Sequence, residues 1–250
     1  MNCDITTAKW GEVSKLPRYD MAILPWGATE PHNKHLPYCT DMLTAQAVSC
    51  AVAEAAAERG TYAMVLPGIP LGSQNPGQIQ LPYCIHTSQA TQMAVLTDIV
   101  KSLRTQGIHR LVIMSGHGGN IFKGMIRDLM MDYPDMVIAH CEWFAIVPRQ
   151  GYFEEKVDDH AGELETSVML HFYPELVRMD LAGDGKSKDF AIEGLRKKVA
   201  WVPRDWAQTT TDTGVGYPKT ATAEKGRRYM EAVLPVITDF IVDFGKKDIY

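Results

Sequence analysis

Residues 21–41 read Met21-Ala22-Ile23-Leu24-Pro25-Trp26-Gly27-Ala28-Thr29-Glu30-Pro31-His32-Asn33-Lys34-His35-Leu36-Pro37-Tyr38-Cys39-Thr40-Asp41. The first five form a short apolar run closed by proline, the pattern of a buried strand. From residue 42 to residue 59 the apolar positions recur at helical spacing. Between the two lies a loop crowded with histidine, acid and proline. Strand, polar loop and helix in that order make the first half of a βαβ unit, and the alternation repeats downstream. Further β-rich runs occupy 62–67, 111–114 and 136–141, and helical patterns occupy 89–105, 121–132 and 162–172, with a last amphipathic stretch at 223–244. This alternation predicts an α/β protein, a three-layer αβα sandwich with a mainly parallel sheet covered by helices on both faces.

Two segments break the pattern. Residues 67–88 are rich in Gly, Pro, Asn and Gln, and 183–220 are irregular. Long irregular loops in such a fold commonly carry function, so both are expected to wall a substrate site rather than to link domains. With 250 residues, 46% of them hydrophobic, the chain suits a single domain over 1–250. A net charge of -5 spread along the chain leaves no basic stripe for nucleic acid and no polybasic membrane patch. The apolar runs fall far short of the roughly 20 residues that cross a bilayer, and the first ten residues are too polar for a secretory leader. A soluble cytoplasmic protein is expected. The five cysteines, Cys3, Cys39, Cys50, Cys84 and Cys141, are scattered without a CxxC pair and read as reduced structural thiols, with Cys39 and Cys84 candidates to sit near a pocket.

Three clusters carry chemistry. In the first, Glu30 and His32 are two apart and aim together if the segment is extended. It follows a strand, where open α/β sheets place their sites. Asp41 opens the next helix and by itself would serve as a cap. Glu, His and Asp together in one loop fit mixed ligation of zinc, manganese or iron(II). The second cluster is Ser115-Gly116-His117-Gly118-Gly119-Asn120, again between strand and helix, with backbone N–H groups able to stabilise an oxyanion. It lacks the GxGxxG pattern and the P-loop lysine. The third is Asp158-Asp159-His160-Ala161-Gly162-Glu163-Leu164-Glu165-Thr166-Ser167. A helix beginning near His160 would put His160 and Glu163 on one face and turn Glu165 towards the apolar stripe of Leu164, Val168 and Phe172, where a carboxylate needs a partner. Capping and surface charge are the plainer reading of this segment. His35 is a candidate support for the metal loop. Trp10, Trp201 and Trp206 read as core or interface residues, and no GxSxG elbow marks a serine hydrolase.

In this order, Leu24-Pro25 with Gly27, Glu30-x-His32, His35-Leu36-Pro37, Thr40-Asp41, Gly116-His117-Gly118-Gly119-Asn120, His160-Ala161-Gly162-Glu163-x-Glu165-Thr166-Ser167, and Lys219-Thr220-Ala221 with Glu224-Lys225-Gly226 resemble the creatininase (creatinine amidohydrolase) family over nearly the whole chain. The resemblance implies a creatininase-like αβα sandwich with two divalent metal ions, usually zinc or manganese, that opens a cyclic amide with metal-activated water. It implies Glu30, Asp41 and His117 on one metal, His32 and the bridging Asp41 on the other, and His160 as proton shuttle to the leaving group. Trp143 matches a substrate-enclosing tryptophan of the family, and Gly118 and Gly119 are expected to face substrate. A homo-oligomer, often a hexamer, is implied as well.

Departures from the creatinine-hydrolysing pattern concern the pocket. That pattern reads GHYEN, whose Glu supplies the second metal; Gly119 stands there in this chain. Glu163 is the expected replacement, with Glu165 the other choice. A family tryptophan just before the catalytic histidine has no counterpart in residues 153–159. Gly77-Gln78-Ile79-Gln80-Leu81-Pro82 replaces the usual Phe-Pro-Gly-Thr loop, and Asn33 stands for a usual Gly. Losing an aromatic wall and gaining charge favours a small substrate more polar than creatinine. A cyclic or other small polar amide cleaved at C–N is the leading reading. C–C hydrolysis of a keto- or diketo-inositol is the second, suited to Gln78, Gln80 and the Glu154-Glu155-Lys156 segment. A non-catalytic metal-binding family member is the third.

Overall fold

A computed structural model describes residues 2–16 and 19–250. The elements run α1 (Trp10–Val13), β1 (Met21–Trp26), α2 (Thr40–Glu58), β2 (Ala63–Val65), α3 (Gln89–Thr105), β3 (Arg110–Ser115), α4 (Phe122–Asp132), β4 (Val137–Glu142), β5 (Asp158–His160), α5 (Glu163–Phe172), α6 (Glu193–Arg196), α7 (Trp206–Thr209), β6 (Val215–Gly216) and α8 (Ala223–Lys246), with short 3₁₀ turns between.

Four strands form one parallel sheet in the order β2-β1-β3-β4. The two-residue period of a strand divides their side chains between its faces. Met21 and Ile23 of β1 with Val112 and Met114 of β3 meet Val48 and Val52 of α2, Val168 of α5 and Tyr229, Val233 and Ile237 of α8. Ala22, Leu24 and Trp26 with Leu111 and Ile113 meet Leu96 and Val100 of α3 and Phe122 and Leu129 of α4. Every residue of β1 is buried, as a strand covered on both faces requires. At about 1.5–3 kcal/mol for each fully buried large apolar side chain, these two layers are the main stabilising term. The fold is therefore the expected α/β sandwich. Among the described residues no helix is long and apolar enough to cross a membrane.

The expected strands and helices form with ends moved by a few residues, except around His160. The helix expected at 162–172 forms as α5 from Glu163, so the start near His160 that would put His160 and Glu163 on one face is not met. His160 ends β5, which pairs antiparallel with β6, and Ala161 takes a left-handed φ of 51°. His160 and Glu163 thus share no helical face.

The chain enters the sheet at β1, passes to β2 on one side and then to β3 on the other. The crevice at the carboxyl ends of β1 and β3, where the order reverses, is where sheets of this kind bind ligands. Trp26 and Ser115, the last residues of the two strands, are register partners there.

Candidate metal centre

Glu30 and His117 come from the loops that leave these two adjacent strands, and Asp41 comes from the first turn of α2. The backbone packs closely at this point: a Cβ on Gly116 would lie 2.1 Å from the Asp41 carbonyl oxygen. Only glycine lets the loop after β3 come this near to α2. Asp41 does not cap its helix. Its Oδ1 lies 2.9 Å from His32 Nε2 and its Oδ2 lies 3.1 Å from His117 Nδ1. Glu30 Oε1 is 2.9 Å from the same His117 nitrogen and 3.8 Å from His160 Nδ1. Glu165 Oε2 is 4.0 Å from His32 Nε2.

Each of the three imidazoles is anchored by a backbone carbonyl. Nε2–H of His117 donates to Ser73 at 2.8 Å, Nδ1–H of His32 to Glu30 at 3.0 Å, and Nε2–H of His160 to Pro31 at 2.9 Å. The hydrogen on one ring nitrogen leaves the lone pair of the other directed at the carboxylates, the arrangement that orients histidine metal ligands. Glu30 Oε1 and Asp41 Oδ2 are buried and accept no hydrogen bond. Buried carboxylate oxygens facing imidazole lone pairs need a cation between them. The donor set fits. Single atoms of Glu30, Asp41 and His117 lie within 4.8 Å of one another, and so do those of His32, Asp41 and Glu165 and those of Glu30, His32 and His160.

The electrostatics point the same way. Burial pushes the His32 imidazole down, but Asp41, Glu165 and Glu30 outweigh it and lift it to about 10. Burial likewise opposes, and Glu30 and Asp41 overcome, in raising His117 well above the usual histidine value. The site attracts positive charge. Burial, followed by the neighbouring His32, holds His160 below the ordinary range, and burial raises Glu165.

Glu163 is absent from this cluster, a correction to its expected role as a ligand. Fully buried at the first position of α5, it pairs with Lys225 and accepts the backbone N–H groups of Glu154 at 2.7 Å and Glu155 at 2.8 Å. Glu165, on the stripe that faces the sheet crevice, is the carboxylate that reaches His32. It also accepts the Ala161 N–H at 2.6 Å. Trp143 lies in the main core against Phe144 rather than on an open wall. Gly118 faces open space, whereas a Cβ on Gly119 would meet His117 Nε2 and the Ser73 oxygen, each at 2.5 Å. Gly119 therefore supports the His117 contact. His35 sits beneath the loop, bonded to Thr166 Oγ1 at 2.8 Å. Asn33 holds a left-handed φ of 53°, which asparagine tolerates almost as glycine does.

Two supports carried no sequence signal as such. The Ser73 carbonyl orients His117, and Asn120 Oδ1 in turn accepts the Ser73 N–H at 3.1 Å. Gln78, expected on a substrate loop, is buried and donates to Glu30 Oε2.

Comparison with known proteins points to one family. The sequence pattern of the Creatininase family, described as creatinine amidohydrolase, matches residues 6–241. Creatinine amidohydrolase of Pseudomonas putida is 29% identical over 88% of this chain and 87% of its own. A mycofactocin precursor peptide peptidase of Mycobacterium ulcerans is 32% identical over 86% and 82%, and a 3-dehydro-scyllo-inosose hydrolase of Thermotoga maritima is 23% identical over 93% and 80%. A crystal structure from Bacteroides fragilis, provisionally described as a creatinine amidohydrolase, superposes with a TM-score of 0.98 at 54% identity, covering 100% of this chain and 98% of that one. A zinc–zinc mutant form and a manganese form of creatininase each superpose with a TM-score of 0.81 at 26% identity, covering 99% of this chain and 100% of theirs. The chain is a metal-dependent hydrolase and belongs to the creatininase family.

Proposed function

We propose that this protein hydrolyses a C–N bond in a small polar amide, most simply a cyclic one, at a centre of two divalent cations. The observation that carries the reading is the position of Asp41, whose two oxygens face two different histidines, so that it belongs to both ligand groups. Glu30, Asp41 and His117 would hold one ion, and His32, Asp41 and Glu165 the other. Two such ions would polarise the amide carbonyl and lower the pKa of the attacking water. Zinc and manganese both suit this donor set.

The remaining work falls to the chain. Gln78 and Ser73 hold Glu30 and His117 in place. His160, with Nε2–H committed to Pro31, presents the lone pair of Nδ1 to the cluster; it takes up the proton that the attacking water releases and then, as general acid, delivers it to the departing nitrogen. The open backbone at Gly118 leaves room for substrate.

A second reading, C–C hydrolysis of a keto-inositol, draws on the likeness to the inosose hydrolase. It is weakened by the commitment of Gln78 to Glu30. We take the protein to be a homo-oligomer, because Ile192, Val199 and Trp201 leave large apolar side chains on the surface that self-association would cover; sedimentation measures this. The deciding experiment is metal analysis, followed by assay of the loaded protein against creatinine, cyclic amides, short peptides and keto-inositols. Amide turnover supports the proposal, turnover of keto-inositols alone selects the second reading, and a protein that retains no metal overturns both.

A further inference from the structure

The irregular stretch 183–220 returns to the metal centre at Trp206, which is 4% exposed while Trp201, in the same stretch, is 78% exposed. Three contacts fix Trp206. Its backbone N–H donates to the Pro76 carbonyl at 2.7 Å, and its indole N–H donates to the Thr213 carbonyl at 2.9 Å. The Arg204 guanidinium lies over its ring at 4.9 Å and is itself anchored by Asp159. Held in this way, the indole meets the His160 imidazole at right angles, with ring centroids 5.3 Å apart. The His32 ring is the second neighbour of His160, at 4.3 Å.

The torsion that turns a histidine ring is broad and roughly two-fold. One hydrogen bond, from Nε2–H to Pro31, leaves a ring free to swing, and packing by two neighbours removes that freedom. Residues 153–159 offer no such contact: Phe153 packs on Tyr229 instead. We infer that Trp206 is a positioning residue for the reaction, holding the His160 ring so that Nδ1 alone faces the reacting bond. The inference rests on the general-acid reading of His160, and it makes α7 the source of the aromatic wall missing from residues 153–159.

The test compares zinc-loaded wild type with the Trp206→Phe, Trp206→Leu and Trp206→Ala proteins. Long-range nitrogen–proton NMR reads the His160 tautomer, assigned by its loss in His160→Gln, and the amide that wild type turns over in the panel above reads kinetics. Wild type and Trp206→Phe are expected to hold His160 as a single Nε2–H tautomer. Trp206→Ala and Trp206→Leu should average the two tautomers and lower kcat about 100-fold, the scale of an ångström-sized misplacement, with KM and zinc content close to wild type. The leucine variant keeps bulk in the core should the alanine variant fail to fold. A single tautomer and undiminished kcat in Trp206→Leu overturn the inference. Full activity of His160→Gln would instead remove the general-acid reading itself, whatever Trp206 does.

Discussion

The carbonyl oxygen of Ser73 stands 2.8 Å from Nε2 of His117, in the space that a side chain at position 119 would fill. The carboxylate that creatinine-hydrolysing relatives carry at this place thus has no room here. Gly119→Ala should push Ser73 from His117, free the ring to turn and weaken metal binding about 10–100-fold, as the loss of a ligand's outer support commonly does. Competition against a chromogenic chelator measures this. Affinity equal to wild type would mean that the Ser73 contact does not orient the ligand.

Glu163 and Glu165 should separate cleanly. Glu165→Ala is expected to lower the metal content by one ion per chain while the fold persists, and adding Gly119→Glu should fail to restore it. Glu163→Ala should keep both ions but lose about 1–3 kcal/mol of stability, because the Glu154 and Glu155 N–H groups lose their buried acceptor while Lys225 keeps the Glu154 carboxylate and the Thr220 carbonyl. Elemental analysis and urea unfolding of the two variants decide the assignment.

The reason the sequence favours Glu163 is instructive. The loop at 30–41 is legible because strand, ligand loop and helix are contiguous, so that local periodicity alone delivers Glu30, His32 and Asp41 to one crevice. At 158–167 the periodicity places the helix itself within a residue of its start, but the preference for Glu163 needs that helix to reach back to His160, which it does not. The pairing of His160 with Val215 and the left-handed Ala161 are settled by β6, remote in sequence, and they rotate the following helix so that Glu165 faces His32. Ser73 acts through its main chain, which has no residue signature. Trp206 reads from sequence as an ordinary core or interface tryptophan because its contact with His160 is long-range. Gly119 did hold a clue, since a glycine in place of an acid suggests that something else occupies the space.

The Glu163–Lys225 pair also sets a direction for acid stability. Burial pushes the Glu163 carboxyl up, but Lys225 and the two backbone N–H groups outweigh this and hold it below its ordinary value. A depressed folded-state pKa contributes stability that is present above the unfolded value, about 4.3, and lost as pH falls through the folded one. The stability gap between wild type and Glu163→Gln should therefore be full at pH 7 and close on acidification below about pH 4. A gap that stays constant down to pH 3 would show that the pair contributes through shape rather than charge.

Metal removal should change the pH response from the other side. Without a cation, the His32 imidazole, lifted to about 10 by its carboxylate neighbours against the cost of burial, carries a proton, and ligation must displace it. Zinc binding at pH 7 should release protons, seen as buffer-dependent heats in calorimetry, and apparent affinity should rise with pH. In the chelated protein the raised folded-state pKa contributes stability that is complete below about pH 6.5 and is lost as pH rises through the folded value. Chelated protein should therefore soften between pH 7 and pH 10, while the loaded protein, its imidazole committed to metal, should not. Parallel melting of the two forms across that range checks the sign, and equal slopes would mean that His32 is neutral in the metal-free chain.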